Sequence, residues 1–241
     1  TSPFLKSLSI MKTKTVIITG ANGNLGTAVV KKFLESGYKV VATVIHESML
    51  DAFEKHERLE VSAVDLANEA DTSSFISTTI SKYKTVDATL MLAGGFAAGD
   101  ISKTASGDVL KMVTLNFETA YHVARPLFEH MKQNDSGRLI FVGARPALNA
   151  NAGKNMIAYA LSKSMVIKLA ELLNADAKGK NVTATVVIPS TIDTPPNRKS
   201  MPDANFDDWV KAEQIADLME MVCSDTGNPL RETVLKIYGN A

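Results

Sequence analysis

The chain has 241 residues, 45% of them apolar and 22% charged, with 26 Lys plus Arg balanced by 26 Asp plus Glu. Such a length and composition suit one globular core and need no disulfide or structural metal to fold. The zero net charge excludes a broad basic footprint for nucleic acid, and no apolar run reaches the roughly 18–20 residues of a membrane span. The single Cys223 excludes an intramolecular disulfide and suits a reducing compartment, so the expected location is cytoplasmic.

Residues 1–13 read as an N-terminal tail, with Met11 a candidate natural start; the stretch Phe4–Leu8 is too short for a signal-peptide core. From residue 14 to 241 one domain is expected. Thr15–Thr19 is β-branched and nearly unbroken, the pattern of a strand buried on both faces. Residues 25–36 read as a helix stopped by Gly37. Strands follow at 39–44 and 59–64, with a helical stretch at 48–56 between them. A helix at 71–83 leads to a strand at 87–92, and a long helix at 109–132 leads to a strand at 138–142. A second long helix at 154–177 precedes a strand at 181–188. A helix at 209–223 and a strand at 232–238 complete the chain. Strands alternating with helices imply parallel βαβ units with right-handed crossovers. The expected fold is therefore α/β: a doubly wound, Rossmann-type parallel sheet of about seven strands with helices on both faces. Ligands of such sheets bind at the carboxyl ends of the strands.

Between the first strand and the first helix runs Thr19-Gly20-Ala21-Asn22-Gly23-Asn24-Leu25-Gly26. Gly20 permits the tight turn, Gly23 lets backbone approach a pyrophosphate, and Gly26 lets helix and strand pack closely. The free N–H groups of the helix N-terminus favour the phosphates. The acidic residue expected about 20 positions on, which would hold the adenosine ribose, is missing. The second strand ends Thr43-Val44-Ile45, with Glu47 slightly beyond it. Without a carboxylate there is no repulsion against a 2′-phosphate, and the reading leans to NADPH while leaving NADH open.

Tyr159 and Lys163 stand four apart on the second long helix, on one face of it. An ammonium beside a phenol lowers the phenol's pKa, and such a Tyr can exchange a proton with a substrate as hydride is transferred. The pair is frequent by chance; its weight comes from its place in a chain that already carries a dinucleotide turn. The four His residues, at 46, 56, 122 and 130, have no metal-ligand spacing, and no metal is expected.

With these residues in hand the chain resembles the short-chain dehydrogenase/reductase family from about Lys14 to Tyr238. The resemblance implies that Gly20, Asn22, Gly23, Asn24, Leu25 and Gly26 form the cofactor turn. It also implies that Asp65 and Leu66 contact adenine. Ala93 and Gly94, with Gly95, match the family's Asn-Ala-Gly motif, although Leu92 replaces the Asn. Asn116 resembles the helix Asn that holds a proton-relay water. Tyr159 and Lys163 match the catalytic pair, Lys163 also holding the nicotinamide ribose. Pro189, Ile192 and Thr194 resemble the segment that orients the nicotinamide. The resemblance further implies a homodimer or homotetramer built on the two long helices.

One departure is informative. The family places a Ser hydroxyl after the fifth strand, yet residues 139–158 hold no Ser or Thr, and Ala144 is the counterpart. The dihydropteridine reductase branch lacks this Ser, and the run Asp193-Thr194-Pro195-Pro196-Asn197-Arg198-Lys199-Ser200-Met201-Pro202 resembles that branch. Ala144, Arg145 and Arg198 are the candidate substrate contacts, and the Pro-rich segment is a candidate lid. The leading expectation is an NAD(P)H-dependent oxidoreductase acting on a small conjugated substrate, with Tyr159 as proton donor. Two alternatives stand beside it: a general carbonyl reductase or alcohol dehydrogenase of the family, and a non-catalytic NAD(P)-binding redox sensor.

Overall fold

The computed structural model describes residues 13–240; the expected N-terminal tail lies almost wholly outside them. The chain forms β1 (Thr15–Thr19), α1 (Asn24–Glu35), β2 (Lys39–Val44), β3 (Leu59–Ala63), α2 (Glu69–Tyr83) and β4 (Ala88–Met91). There follow α3 (Ser106–Val113), α4 (Thr119–Gln133), β5 (Gly137–Val142), α5 (Arg145–Leu148), α6 (Ala150–Gly153), α7 (Ile157–Asp176) and β6 (Val182–Pro189). The last elements are β7 (Ile192–Asp193), α8 (Pro195–Ser200), β8 (Val210–Lys211), α9 (Ala212–Cys223) and β9 (Val234–Ile237). Seven strands pair in parallel in the order β3-β2-β1-β4-β5-β6-β9, as the alternating pattern requires. The order reverses beside β1, so a crevice opens between the carboxyl ends of β1 and β4.

Both sheet faces are covered. Ile17, Val41, Leu139, Phe141 and Val186 pack beneath α4 and α7, with Leu127, Met131 and Val166. Val16, Ile18, Leu90 and Ile140 pack on the other face with Phe33 of α1 and Ile215 of α9. Alternate residues of one strand thus serve opposite layers, which is why apolar residues dominate both faces of the central strands.

The departures from the expected elements lie mainly at helix ends and in connections. The 48–56 stretch is a single 3₁₀ turn at Glu47–Ala52. The helix expected at 109–132 starts earlier, where Asp108 accepts from the Ala105 N–H, and is interrupted by a π-helical turn at Thr114–Glu118. The one expected at 154–177 is preceded by the short α5 and α6 and begins at Ile157. The segment after β6 folds into a small clip in which β7 pairs with β8. Phe141 is fully buried at the sheet centre. Phe141→Ala is expected to cost about 3–5 kcal/mol of stability, measured as a lowered urea midpoint with an unchanged slope.

Candidate active site

The glycine turn is dictated by close approach. Gly20 has φ +60°, and a Cβ there would stand 2.8 Å from the Ala93 backbone at the end of β4. A Cβ on Gly26 would lie 2.3 Å from the Gly20 carbonyl oxygen. At Gly23, the cap of α1, no side chain caps the helix, so its first-turn amides face outward without a side-chain partner. Asn22 turns its amide to Met49 Sδ at 3.2 Å, tying the turn to the 3₁₀ segment after β2. Thr19 Oγ1 accepts from the N–H groups of Leu92 and Ala93 and joins the ends of β1 and β4. A cradle of bare amides with no room for side chains fits a pyrophosphate. Farther along the crevice, Asp65 is exposed with Oδ1 accepting from the Ala67 N–H, and the Leu66 carbonyl accepts from His122 Nδ1 at 2.9 Å.

The catalytic candidates are brought together by the two long helical stretches. α7 turns Ala158, Ser162, Lys163, Val166 and Ala170 inward, so Lys163 is 7% exposed beneath the sheet's edge. Its ammonium donates to the Val142 carbonyl at 2.8 Å. The π-helical turn carries Asn116, which is buried. Its Oδ1 accepts from the Gly95 N–H at 3.0 Å, and its Nδ2 donates to the Gly95 carbonyl and to Ser162 Oγ, each at 3.1 Å. Ser162 Oγ donates in turn to the Tyr159 carbonyl at 2.8 Å. Asn116 therefore braces the loop after β4 against the catalytic turn of α7. A Cβ on Gly94 would lie 2.5 Å from Asn116 Oδ1, so a side chain there would have to displace that amide.

Burial sets the protonation states. The Tyr159 phenol is pushed up to about 12 by desolvation. Desolvation also lowers the Lys163 ammonium to about 8, with no carboxylate bonded to it among the described residues. The sequence pattern suggested that Lys163 would draw the Tyr159 pKa down; here desolvation governs both groups, and the ammonium is directed at a carbonyl instead. At neutral pH the phenol keeps its proton, which suits an acid more than a base.

Tyr159 faces a cavity of about 620 Å³ at the carboxyl ends of β5 and β6. Gly143, Ala144, Arg145, Pro189 and Ile192 line it, with Asn197 and Met201 from the 192–211 clip. The Phe96 ring packs edge-on against Tyr159 at 5.1 Å. Ala144 is buried at the wall and presents a methyl group where a hydroxyl was missing from the sequence. Of the candidate substrate contacts, Ala144 and Arg145 reach the cavity. Arg198 is absent from its lining: Nε and Nη2 donate to the Asp193 carboxylate at 2.6 and 2.8 Å, and the guanidinium covers the Phe206 ring at 4.6 Å. Arg198 thus holds the clip together. Thr194 caps α8 by accepting from the Asn197 N–H. Ser162, Thr19 and Phe96 were not singled out from the sequence; only a contact map separates them from ordinary helix, strand and loop residues.

A family model for short chain dehydrogenases matches residues 14–205. The chain belongs to the short chain dehydrogenase family and is an oxidoreductase of that family. Dihydropteridine reductase of Dictyostelium discoideum is 29% identical over 233 residues, covering 92% of this chain and 94% of its own. Acetoacetyl-CoA reductase of an Acinetobacter strain is 25% identical over 189 residues, covering 76% of this chain and 75% of its own. Among solved structures, ElxO with NADP bound superposes with a TM-score of 0.87 at 21% identity, covering 94% of this chain and 98% of the other. The NADH complex of 3-ketoacyl-(acyl-carrier-protein) reductase from Brucella melitensis superposes with a TM-score of 0.82, also at 21%, covering 94% of this chain and 97% of the other.

Gly94→Ala is expected to displace the Asn116 side chain and lower kcat at least tenfold, while thermal unfolding moves by only a few degrees. Steady-state rates beside a melting curve check this; an unchanged kcat contradicts the brace.

Proposed function

We propose that this protein is an NAD(P)H-dependent reductase of a small conjugated acceptor, of the dihydropteridine reductase type. The observation that carries the reading is a cavity that keeps a protonated Tyr159 but receives no hydroxyl from the end of β5, where Ala144 stands. The likeness to dihydropteridine reductase over nearly the whole of both chains supports it. A conjugated ring accepts hydride with its charge spread over several atoms. It needs a proton donor more than a hydroxyl gripping one oxygen.

The cofactor supplies the hydride. The bare amides of the turn from Gly20 to Gly26 hold its pyrophosphate, Asp65 and Leu66 its adenine, and Lys163 its nicotinamide ribose. Ala93, Gly94 and Gly95 border that ribose, and Pro189, Ile192 and Thr194 orient the nicotinamide. NADPH is the expected partner, because β2 ends without a carboxylate to repel a 2′-phosphate. Tyr159 gives its proton to the substrate, and Asn116 holds the relay water behind it. Leu110, Tyr121, Leu161, Met165 and Leu172 are exposed on α3, α4 and α7, and support a homodimer or homotetramer through these helices. The lone buried thiol of Cys223 suits the reducing cytoplasm.

Tyr159→Phe removes the acid and is expected to lower kcat with quinonoid dihydropterin by about 10²–10⁴-fold, with NADPH affinity unchanged. NADPH oxidation and a binding titration on both proteins test this. Tight binding without turnover in the wild type would leave a cofactor-binding protein instead. The pH dependence follows from Lys163: its charge is present below about 8 and lost above it. kcat/KM for NADPH should therefore fall as pH rises through that value, and a profile flat to pH 10 would remove Lys163 from cofactor binding.

A further inference from the structure

Arg145 stands apart from the other arginines of the chain. Arg58, Arg125, Arg138, Arg198 and Arg231 each donate at least one side-chain hydrogen bond, to a carboxylate, an amide oxygen or a backbone carbonyl. The Arg145 guanidinium makes no hydrogen bond or ion pair with the described residues. It packs over the Tyr238 ring, whose centroid lies 5.4 Å from Cζ. Tyr238 is anchored in turn, its carbonyl accepting from Ser190 Oγ at 2.6 Å. Arg145 is also the only charged side chain among the residues lining the Tyr159 cavity, and no carboxylate lines it. A cation held by an aromatic face, half-buried and with its donors unused, is prepared for a ligand that brings the acceptors.

Its place in the chain adds a second argument. Arg145 follows Ala144 directly and opens α5, so it lines the cavity next to the position where the hydroxyl is missing. A hydroxyl suits one oxygen on the reacting carbon. A planar guanidinium, with five N–H donors in a fixed fork, suits an edge carrying two acceptors, including atoms remote from the reacting one.

We propose that Arg145 is a specificity-determining residue that binds the oxygen- and nitrogen-acceptor edge of a planar conjugated substrate and holds the charge that reduction places there. This rests on the reductase reading above. A bound dihydronicotinamide would supply the hydride, which bonds to one atom of the conjugated system. A π pair shifts onto the acceptor edge held by Arg145, and the Tyr159 O–H bond breaks to protonate the reduced substrate. The substrate gains two electrons as hydride and one proton, the nicotinamide is oxidised by two electrons, and the phenolate recovers its proton from water.

The test compares wild type with Arg145→Gln and Arg145→Lys. One readout is equilibrium binding of pterin, followed by quenching of its fluorescence. The other is NADPH-dependent turnover of quinonoid dihydropterin, 1,4-naphthoquinone and cyclohexanone. Loss of a charge-assisted hydrogen bond predicts a pterin Kd about 10–100-fold weaker in Arg145→Gln. A matching fall in kcat/KM for the conjugated acceptors, partial retention in Arg145→Lys and an unchanged KM for NADPH are expected with it. If the wild type reduces naphthoquinone but neither binds pterin nor reduces dihydropterin, and Arg145→Gln loses that activity, the pterin assignment fails and the role of Arg145 stands. If Arg145→Gln binds and reduces conjugated acceptors like the wild type, the role is overturned while the reductase reading survives. If cyclohexanone is the only substrate reduced, or none of the three is, both fall.

Discussion

The proposed catalytic arrangement depends on one buried side-chain amide. Asn116 makes hydrogen bonds in two directions: to the backbone of Gly95, early in the loop after β4, and to Ser162, on the helix that carries Tyr159 and Lys163. A buried amide left unpaired costs about 1–3 kcal/mol, so these partners constrain one another. The π-helical turn at Thr114–Glu118 lies where Asn116 reaches both. The missing side chain at Gly94 follows from the same constraint, because the amide oxygen lies where its Cβ would be. The proposed cofactor side and proton side of the site are therefore one connected unit rather than two neighbouring ones.

Burial then sets the chemistry. Lys163 is enclosed with a carbonyl partner and its pKa falls to about 8, while Tyr159 is desolvated and its pKa rises to about 12. A phenol that holds its proton at neutral pH suits the proposed role of Tyr159 as proton donor. The cavity wall is consistent with that role: Ala144 offers no hydroxyl, and Arg145 offers a cation with its donors unused. The clip over the cavity is held by Asp193 and Arg198 and by the pairing of β7 with β8, so the Arg198 guanidinium is satisfied within it.

Much of this was legible in the sequence because the strong signals are local. Thr15–Thr19, followed by the glycines at 20, 23 and 26, encodes a buried strand, a tight turn and a close helix, and the backbone contacts at Gly20 and Gly26 require those glycines. Tyr159 and Lys163 were legible from their spacing, and Ala144 from the lack of any Ser or Thr between 139 and 158. What stayed hidden depends on contacts distant in sequence. Nothing in a helical period separates an α-turn from the π-turn at Asn116. Ser162 reads as any helical Ser until Asn116 is placed beside it. Arg198 looked available to a substrate because Asp193, five residues earlier, gave no sign of closing back on it. The direction of the Tyr159 pKa stayed hidden because spacing conveys proximity and not desolvation.

The most direct test of the account is the acceptor preference of the wild-type protein with NADPH, measured as kcat/KM for quinonoid dihydropterin against acetoacetyl-CoA. A cavity with Tyr159 and Arg145 but no hydroxyl at Ala144 predicts a preference of about 100-fold or more for the dihydropterin, equivalent to roughly 3 kcal/mol in the transition state. A preference of the same size for acetoacetyl-CoA would contradict it and place the protein among the carbonyl reductases of its family.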